Sequence, residues 1–189
     1  MGKIALIIPT LNELENIEKL VTEIKSNLKD VSIFIVDDSN DNSLGEHINK
    51  KKIQAHYFHR KNSSGRGSAI MFGLKKCLEI DSFDIFIEMD ADFSHDPKEL
   101  PKNINYFLEN NLDLLIASRY LKKSKIVNWS LSRRIFSKLA NFLAKNLLSI
   151  KLSDFTNGFR IYSKRSAEKI TKVCGNIGDG FIILSEIIV

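Results

Sequence analysis

The residues best suited to chemistry in this chain are carboxylates and guanidinium groups that directly follow short apolar runs. Asp90-Ala91-Asp92 follows Phe83–Met89, and two carboxylates two positions apart on extended backbone project to the same side. That spacing suits a hard divalent ion, Mg²⁺ or Mn²⁺, held by one or two carboxylates and completed by diphosphate oxygens. Such an ion would act as a Lewis acid on a departing diphosphate. Asp37-Asp38 follows Ile33–Val36 and can accept hydrogen bonds from a base or ribose. Arg119, after Leu112–Ala117, can bind a phosphate with two parallel hydrogen bonds or enter an ion pair. His95 either assists the ligand or forms part of its loop, and the loop role is favoured. Other chemistries are excluded. Gly65 and Gly67 begin a dinucleotide-like pattern that Ile70 breaks, and there is no GxxxxGK[ST] loop, GxSxG elbow or HExxH pair. The four histidines lack Cys or His partners at zinc-ligand spacing.

These residues need a scaffold that brings them together. Ile4–Ile8 reads as a strand; Ile17, Leu20, Val21, Ile24 and Leu28 recur at helical spacing, with Thr10 or Asn12 as the cap. Val31–Val36 reads as a strand and His56–Phe58 as a weaker one. Ser68–Leu78 reads as a helix, Phe83–Met89 as a strand, Pro97–Leu108 as a helix and Leu112–Ala117 as a strand. Alternating strands and helices with short connections predict an α/β fold with a mostly parallel sheet. An open parallel sheet binds ligands beyond the carboxyl ends of its strands, so Pro9-Thr10-Asn12-Glu13, Asp37-Asp38, Asp90-Ala91-Asp92 and Ser118-Arg119-Tyr120 are expected at one edge.

Composition agrees. The chain has 189 residues, 43% hydrophobic and 27% charged, with 3 Pro and 9 Gly, the balance of one globular domain over 1–189. No signal peptide or membrane-spanning segment is read, and Cys77 and Cys174 are expected to be reduced thiols. Charge is unevenly spread: residues 119–172 carry 14 Lys/Arg against 2 Asp/Glu, a cationic stretch that attracts phosphates or anionic headgroups. Within it, Trp129 to Ile150 has the pattern of a basic amphipathic helix, which either packs on the sheet or lies on a lipid surface.

Taken together, Ile8-Pro9-Thr10-Leu11-Asn12-Glu13-Leu14-Glu15-Asn16-Ile17, Ile35-Val36-Asp37-Asp38-Ser39, Gly65-Arg66-Gly67, Met89-Asp90-Ala91-Asp92-Phe93-Ser94-His95, Ala117-Ser118-Arg119-Tyr120 and Asp154-Phe155-Thr156-Asn157-Gly158-Phe159-Arg160 resemble the dolichol-phosphate mannosyltransferases, the polyprenol-phosphate hexosyltransferase branch of glycosyltransferase family 2. The segments run through essentially the whole chain in family order. The resemblance implies a GT-A fold and an inverting transfer of a hexose, mannose from GDP-mannose or glucose from UDP-glucose, to a polyprenyl (dolichyl) phosphate. It implies that Pro9, Leu11, Glu13, Asp37, Asp38 and Gly67 contact the donor, and that Asp90, Asp92 and Ser94 hold Mg²⁺ or Mn²⁺. Arg119, Arg133 and Ser137 would grip phosphate groups, with Asp92, Arg119 and Arg133 as the catalytic set. The implied place is the cytoplasmic face of a membrane, peripherally bound, with no nucleic-acid partner. Two departures, Ser39-Asn40 in place of Gly-Ser and Lys138 in place of Arg, bear on base and phosphate contacts. Because relatives continue past the position of Val189, the domain is expected to be truncated at its C-terminus.

Two other readings remain open at this point. One keeps the fold and uses a hydroxyl acceptor, with Asp179 as general base; the other is a non-catalytic binder of polyanions or membranes, marked by strong salt dependence.

Overall fold

The computed structural model describes residues 2–61, 65–120, 141, 153–174 and 187. Among these residues six strands form one sheet, in the order β3-β2-β1-β4-β6-β5: β1 (Ile4–Thr10), β2 (Val31–Asp37), β3 (His56–His59), β4 (Ile85–Glu88), β5 (Leu114–Ile116) and β6 (Arg160–Ser163). The helices are α1 (Leu14–Asn27), α2 (Ser43–Lys51), α3 (Arg66–Ile80), α4 (Leu100–Glu109), entered through a 3-10 turn at Pro97–Glu99, and α5 (Lys164–Val173).

Strand periodicity divides the core. Ile4, Leu6 and Ile8 of β1, Ile33 and Ile35 of β2, and Ile85 and Ile87 of β4 face one side. There they meet Ile17, Leu20 and Ile24 of α1, Leu44 and Ile48 of α2, and Ile104 and Phe107 of α4. Ala5 and Ile7, Phe34 and Val36, and Phe86 face the other side, against Ala69, Ile70, Leu74 and Cys77 of α3 and Ala167 and Ile170 of α5. Strands buried on both faces explain why the sequence reads as near-continuous apolar runs, each fully buried aliphatic side chain contributing about 1.5–3 kcal/mol. α3 lies close on the sheet because position 73 has no side chain: a Cβ there would sit 2.5 Å from Ile7 Cγ2.

β1, β2, β3 and β4 pair in parallel, as the alternation predicts. β6, which the sequence reading missed, runs antiparallel between β4 and β5. It is short, and its first residue, Arg160, is fully buried, so no apolar run marks it. β5 therefore pairs with β6 and not with β4, yet it still points the same way as β4. The carboxyl ends of β1 to β5 accordingly lie along one edge.

Two further differences are local. α2 occupies a stretch to which the sequence assigns no element, since its apolar stripe is only Leu44 and Ile48. The first turn of α1 has Glu13 as N-cap with no side-chain cap, which corrects the expected capping by Thr10 or Asn12. Thr10 instead donates to Asp37, and Asn12 adopts φ 59°, so both are committed to the strand-end loop. The basic amphipathic segment from Trp129 to Ile150, apart from Asn141, lies outside the described residues. Among the described residues, no helix is long and apolar enough to cross a membrane.

Candidate active site

At the ends of β1, β2 and β3 the chain gathers polar groups around Asp37. Its Oδ1 accepts from Thr10 Oγ1 at 2.9 Å, Ser39 Oγ at 2.7 Å and the Ser39 N–H at 3.3 Å, and its Oδ2 accepts from Tyr57 OH at 2.9 Å. Asp37 is fully buried, and a carboxylate without water must be paired in this way. Burial and the Asp37 carboxylate together push the Tyr57 phenol well above its ordinary range, so it stays a donor. Ser39 also accepts from the Asn12 N–H at 2.9 Å, which gives the Ser39 departure a purpose: it ties the β1 loop to the β2 loop. Asp38 is held by Arg60 through Nε at 2.7 Å and Nη2 at 2.6 Å, with both side chains largely buried.

Asp37 and Asp38, expected to accept hydrogen bonds from a base or ribose, here accept from groups of the chain itself. Both carboxylates already have partners and fasten the strand ends. The accessible surface here comes from neighbouring residues. Leu11 is 61% exposed, Pro9 and Glu13 are half-buried, and Glu13 accepts from Asn16 Nδ2 at 2.7 Å. Gly67 is buried in the first turn of α3.

Beyond β4, Asp90 and Asp92 stand on a loop held from two directions. The Asp90 N–H donates to His95 Nδ1 at 3.1 Å, and His95 Nε2 lies 2.9 Å from Asn157 Oδ1. An acceptor at Nδ1 requires the proton on Nε2, which therefore donates to Asn157. Burial lowers the His95 pKa and favours this neutral tautomer. Asn157 in turn donates from Nδ2 to the Ala117 carbonyl. His95 is thus a buried strut from the Asp90 loop through Asn157 to the end of β5, in line with the loop role favoured from sequence.

The second hold is Arg66, at the start of α3. Its Nε donates to Asp90 Oδ1 at 2.6 Å and its Nη2 to the Gly158 carbonyl at 2.9 Å, while Nη1 lies 3.5 Å from Glu88 Oε2. Glu88 is fully buried and is also met by Tyr162 OH at 2.8 Å and Arg160 Nε at 3.4 Å. Burial works against the Arg66 charge, but Glu88 and Asp90 more than offset it. Gly158 admits this approach, since a Cβ there would lie 2.0 Å from Arg66 Nη2.

Asp92 is exposed and its Oδ1 accepts from the Ser94 N–H at 3.0 Å. Partial desolvation raises its pKa, the Ser94 hydrogen bonds outweigh that, and the carboxyl is held below its ordinary value. Ser94, expected as a metal ligand, here orients Asp92. Among the described residues no group of three or more His, Cys, Asp or Glu gathers into a cage. An ionised, exposed Asp92 two residues from a fixed Asp90 nonetheless fits Mg²⁺ or Mn²⁺, which take one or two carboxylates and fill their remaining positions from water and phosphate.

Arg119 follows β5, but its fork is turned onto Asp154: Nε to Oδ2 at 2.8 Å and Nη2 to Oδ1 at 2.8 Å, with Nη2 also reaching Thr156 Oγ1 at 2.6 Å. Of the two fates open to it from sequence, the structure displays the ion pair. Its partner is a fully buried Asp154 side chain, not a surface charge. Arg133, Ser137, Lys138 and Asp179 lie outside the described residues.

The strand edge thus brings together the Asp37 knot, the Asp90–Asp92 loop and the Arg119–Asp154 pair. The segment from Asp154 to Arg160 links the last two. Sequence reading cited Arg66, Asn157 and Gly158 within motifs without giving them work, and gave Glu88 none. A charged residue inside an otherwise apolar strand, as at Glu88, is the signal that would have found that one.

The geometry can be set beside known proteins. The chain is 31% identical over 163 residues to undecaprenyl-phosphate mannosyltransferase of Micrococcus luteus, covering 85% of this chain and 66% of that protein. It is 33% identical over 168 residues to polyprenol monophosphomannose synthase of Mycolicibacterium smegmatis, covering 87% and 63%. It therefore spans just under two thirds of the length of these relatives. Glucosyl-3-phosphoglycerate synthase of Mycobacterium tuberculosis, solved with Mn²⁺, UDP and phosphoglyceric acid, superposes with a TM-score of 0.71 at 18% identity, covering 99% of this chain and 63% of that one. The same enzyme solved with Mn²⁺, UDP-glucose and phosphoglyceric acid gives 0.69 at 18% identity, covering 99% and 64%. The likeness establishes the GT-A fold. With the family model for glycosyl transferase family 2 matching residues 5–171, this chain belongs to glycosyl transferase family 2.

Proposed function

We propose that this chain transfers a hexose, mannose from GDP-mannose, to a polyprenyl phosphate at a membrane surface. The observation that carries the reading is the Asp90–Asp92 pair fixed at the carboxyl end of β4, in a chain that aligns over most of its length with two proteins named for mannosyl transfer to a polyprenyl phosphate. When bound by Asp90 and Asp92, Mg²⁺ or Mn²⁺ neutralises charge on the nucleoside diphosphate leaving group.

The chain's own residues supply the rest. Leu11, exposed beside the Asp37 knot, offers an apolar surface to a base, Pro9 and Glu13 flank it in the chain, and Gly67 lies in the first turn of α3. The acceptor needs little activation, because a phosphate monoester with a second pKa near 6 is mostly dianionic at neutral pH. What it needs is compensation for bringing two anions together. The excess of Lys and Arg between 119 and 172, with Arg133 and Ser137 as the proposed grips on acceptor phosphate, answers that need. Catalysis on this reading is positioning and electrostatic stabilisation.

The test is transfer from GDP-mannose to a short-chain polyprenyl phosphate, with UDP-glucose and soluble sugars as competing donor and acceptors. Asp92→Ala and EDTA should each abolish transfer while circular dichroism stays that of the wild type. Full activity in either condition removes the metal from the reading, and transfer only to soluble sugars removes the lipid acceptor.

A further inference from the structure

Arg66 lies where a bound metal would feel it. Glu88 is already satisfied by Tyr162 at 2.8 Å and faces Arg160 at 3.4 Å, so the 3.5 Å approach of Arg66 to Glu88 is its weakest contact. Its short bond, 2.6 Å, goes to Asp90 Oδ1, and the 2.9 Å bond to the Gly158 carbonyl fixes the angle of the fork. Only a planar guanidinium spans three acceptors on two separate segments, the end of β4 and the Gly158 loop, in this way. Arg66 and Arg160 offset Glu88 and Asp90, which leaves the exposed Asp92 as the one carboxylate of the group with no cation beside it in this count.

A divalent ion arriving alone at Asp90 and Asp92 therefore meets one carboxylate that already carries a counter-cation. Its second charge is also unwelcome beside Arg66. An ion arriving with a nucleoside diphosphate brings the negative charge that offsets this repulsion. We infer that Arg66 is a resident counter-ion on Asp90 that makes capture of the metal depend on a nucleoside diphosphate. This rests on the reading that Asp90 and Asp92 are the metal's carboxylates, and it assigns to Arg66 and Gly158 a control that the reading itself does not contain.

The experiment measures Mn²⁺ binding without turnover, from the free Mn²⁺ paramagnetic resonance signal, with and without GDP. Arg66→Gln should bind Mn²⁺ alone at least about tenfold more tightly than the wild type, the order of one charge-assisted hydrogen bond released. The tightening by GDP should shrink correspondingly, because the coupling between the two ligands is reciprocal. Gly158→Ala, which drives the guanidinium off its seat without removing it, should move both quantities in the same direction. Arg66→Lys, which keeps the charge, should retain most of the GDP dependence. A folded Arg66→Gln protein with unchanged or weaker Mn²⁺ binding overturns the inference. Asp90→Asn separates the two levels. If it loses Mn²⁺ while Arg66→Gln has no effect, only the Arg66 role fails; if it binds Mn²⁺ as the wild type does, the metal assignment and the Arg66 role fail together.

Discussion

Replacing Asp154 by Asn keeps the shape of the side chain and removes the charge on which Arg119 is folded. Asp154 is fully buried at its side chain and accepts from the Arg119 N–H at 3.1 Å, from two guanidinium nitrogens at 2.8 Å each, and from the Thr156 N–H at 3.1 Å. Removing one partner of a buried ion pair costs about 3–5 kcal/mol because the other is left uncompensated. The Arg119 side chain retains 18% exposure, so water recovers part of that cost and the lower end, about 3 kcal/mol, is expected. With an m value of about 2 kcal/mol/M in urea, the midpoint should fall by roughly 1.5 M at pH 7.

The pH dependence supplies a second check on the same pair. Burial raises the Asp154 carboxyl, and the hydrogen bonds and charge of Arg119 outweigh it, so the folded-state value lies below 3.8. A depressed carboxyl contributes stability that is complete above the unfolded value and is lost as pH falls through the folded one. The gap between wild type and Asp154→Asn should therefore be full at neutral pH and narrow below about pH 4. A gap under about 1 kcal/mol, or one unchanged in acid, would refute the claim that Arg119 is a structural ion-pair partner.

Two further outcomes probe the scaffold. Gly73→Ala places a Cβ 2.5 Å from Ile7 Cγ2; overpacking of about 1–3 kcal/mol outweighs the helix-propensity gain of roughly 0.5–1 kcal/mol, so thermal unfolding should move to lower temperature, and an unchanged or higher midpoint would show that α3 can lift off β1 without cost. Asn157→Ala leaves the His95 Nε2–H and the Ala117 carbonyl without this partner. Stability should fall by about 2–4 kcal/mol for one buried and one half-buried group, and Mn²⁺ binding in the presence of GDP should weaken as the Asp90 loop loses its strut; a loss of stability with metal binding intact would limit Asn157 to a structural role.

Strand and helix alternation was legible in the sequence because a central parallel sheet covered on both faces turns its strands into apolar runs. β1, β2, α1 and α3 announced themselves this way, and so did the edge on which the acidic and basic residues collect. α2 was hidden because two buried aliphatics do not make a visible stripe. β6 was hidden because a strand of four residues that opens on a buried arginine owes its place to Glu88 and to backbone carbonyls, neither of which is a local property.

The same division runs through the site. Sequence alone determined which side chains lie just beyond strand ends, since that depends on order along the chain and on apolar periodicity. It also showed that Asp90 and Asp92 have the spacing of a metal pair. Only the tertiary structure decided which of those charges are open and which are spent: Asp37 on Thr10, Ser39 and Tyr57, Asp38 on Arg60, Arg119 on Asp154 and Arg66 on Asp90. The reason is electrostatic. A charge removed from water must find a counter-charge or hydrogen-bond donors within a few ångströms, and those partners lie from two to thirty-five positions away along the chain, a distance that periodicity cannot read.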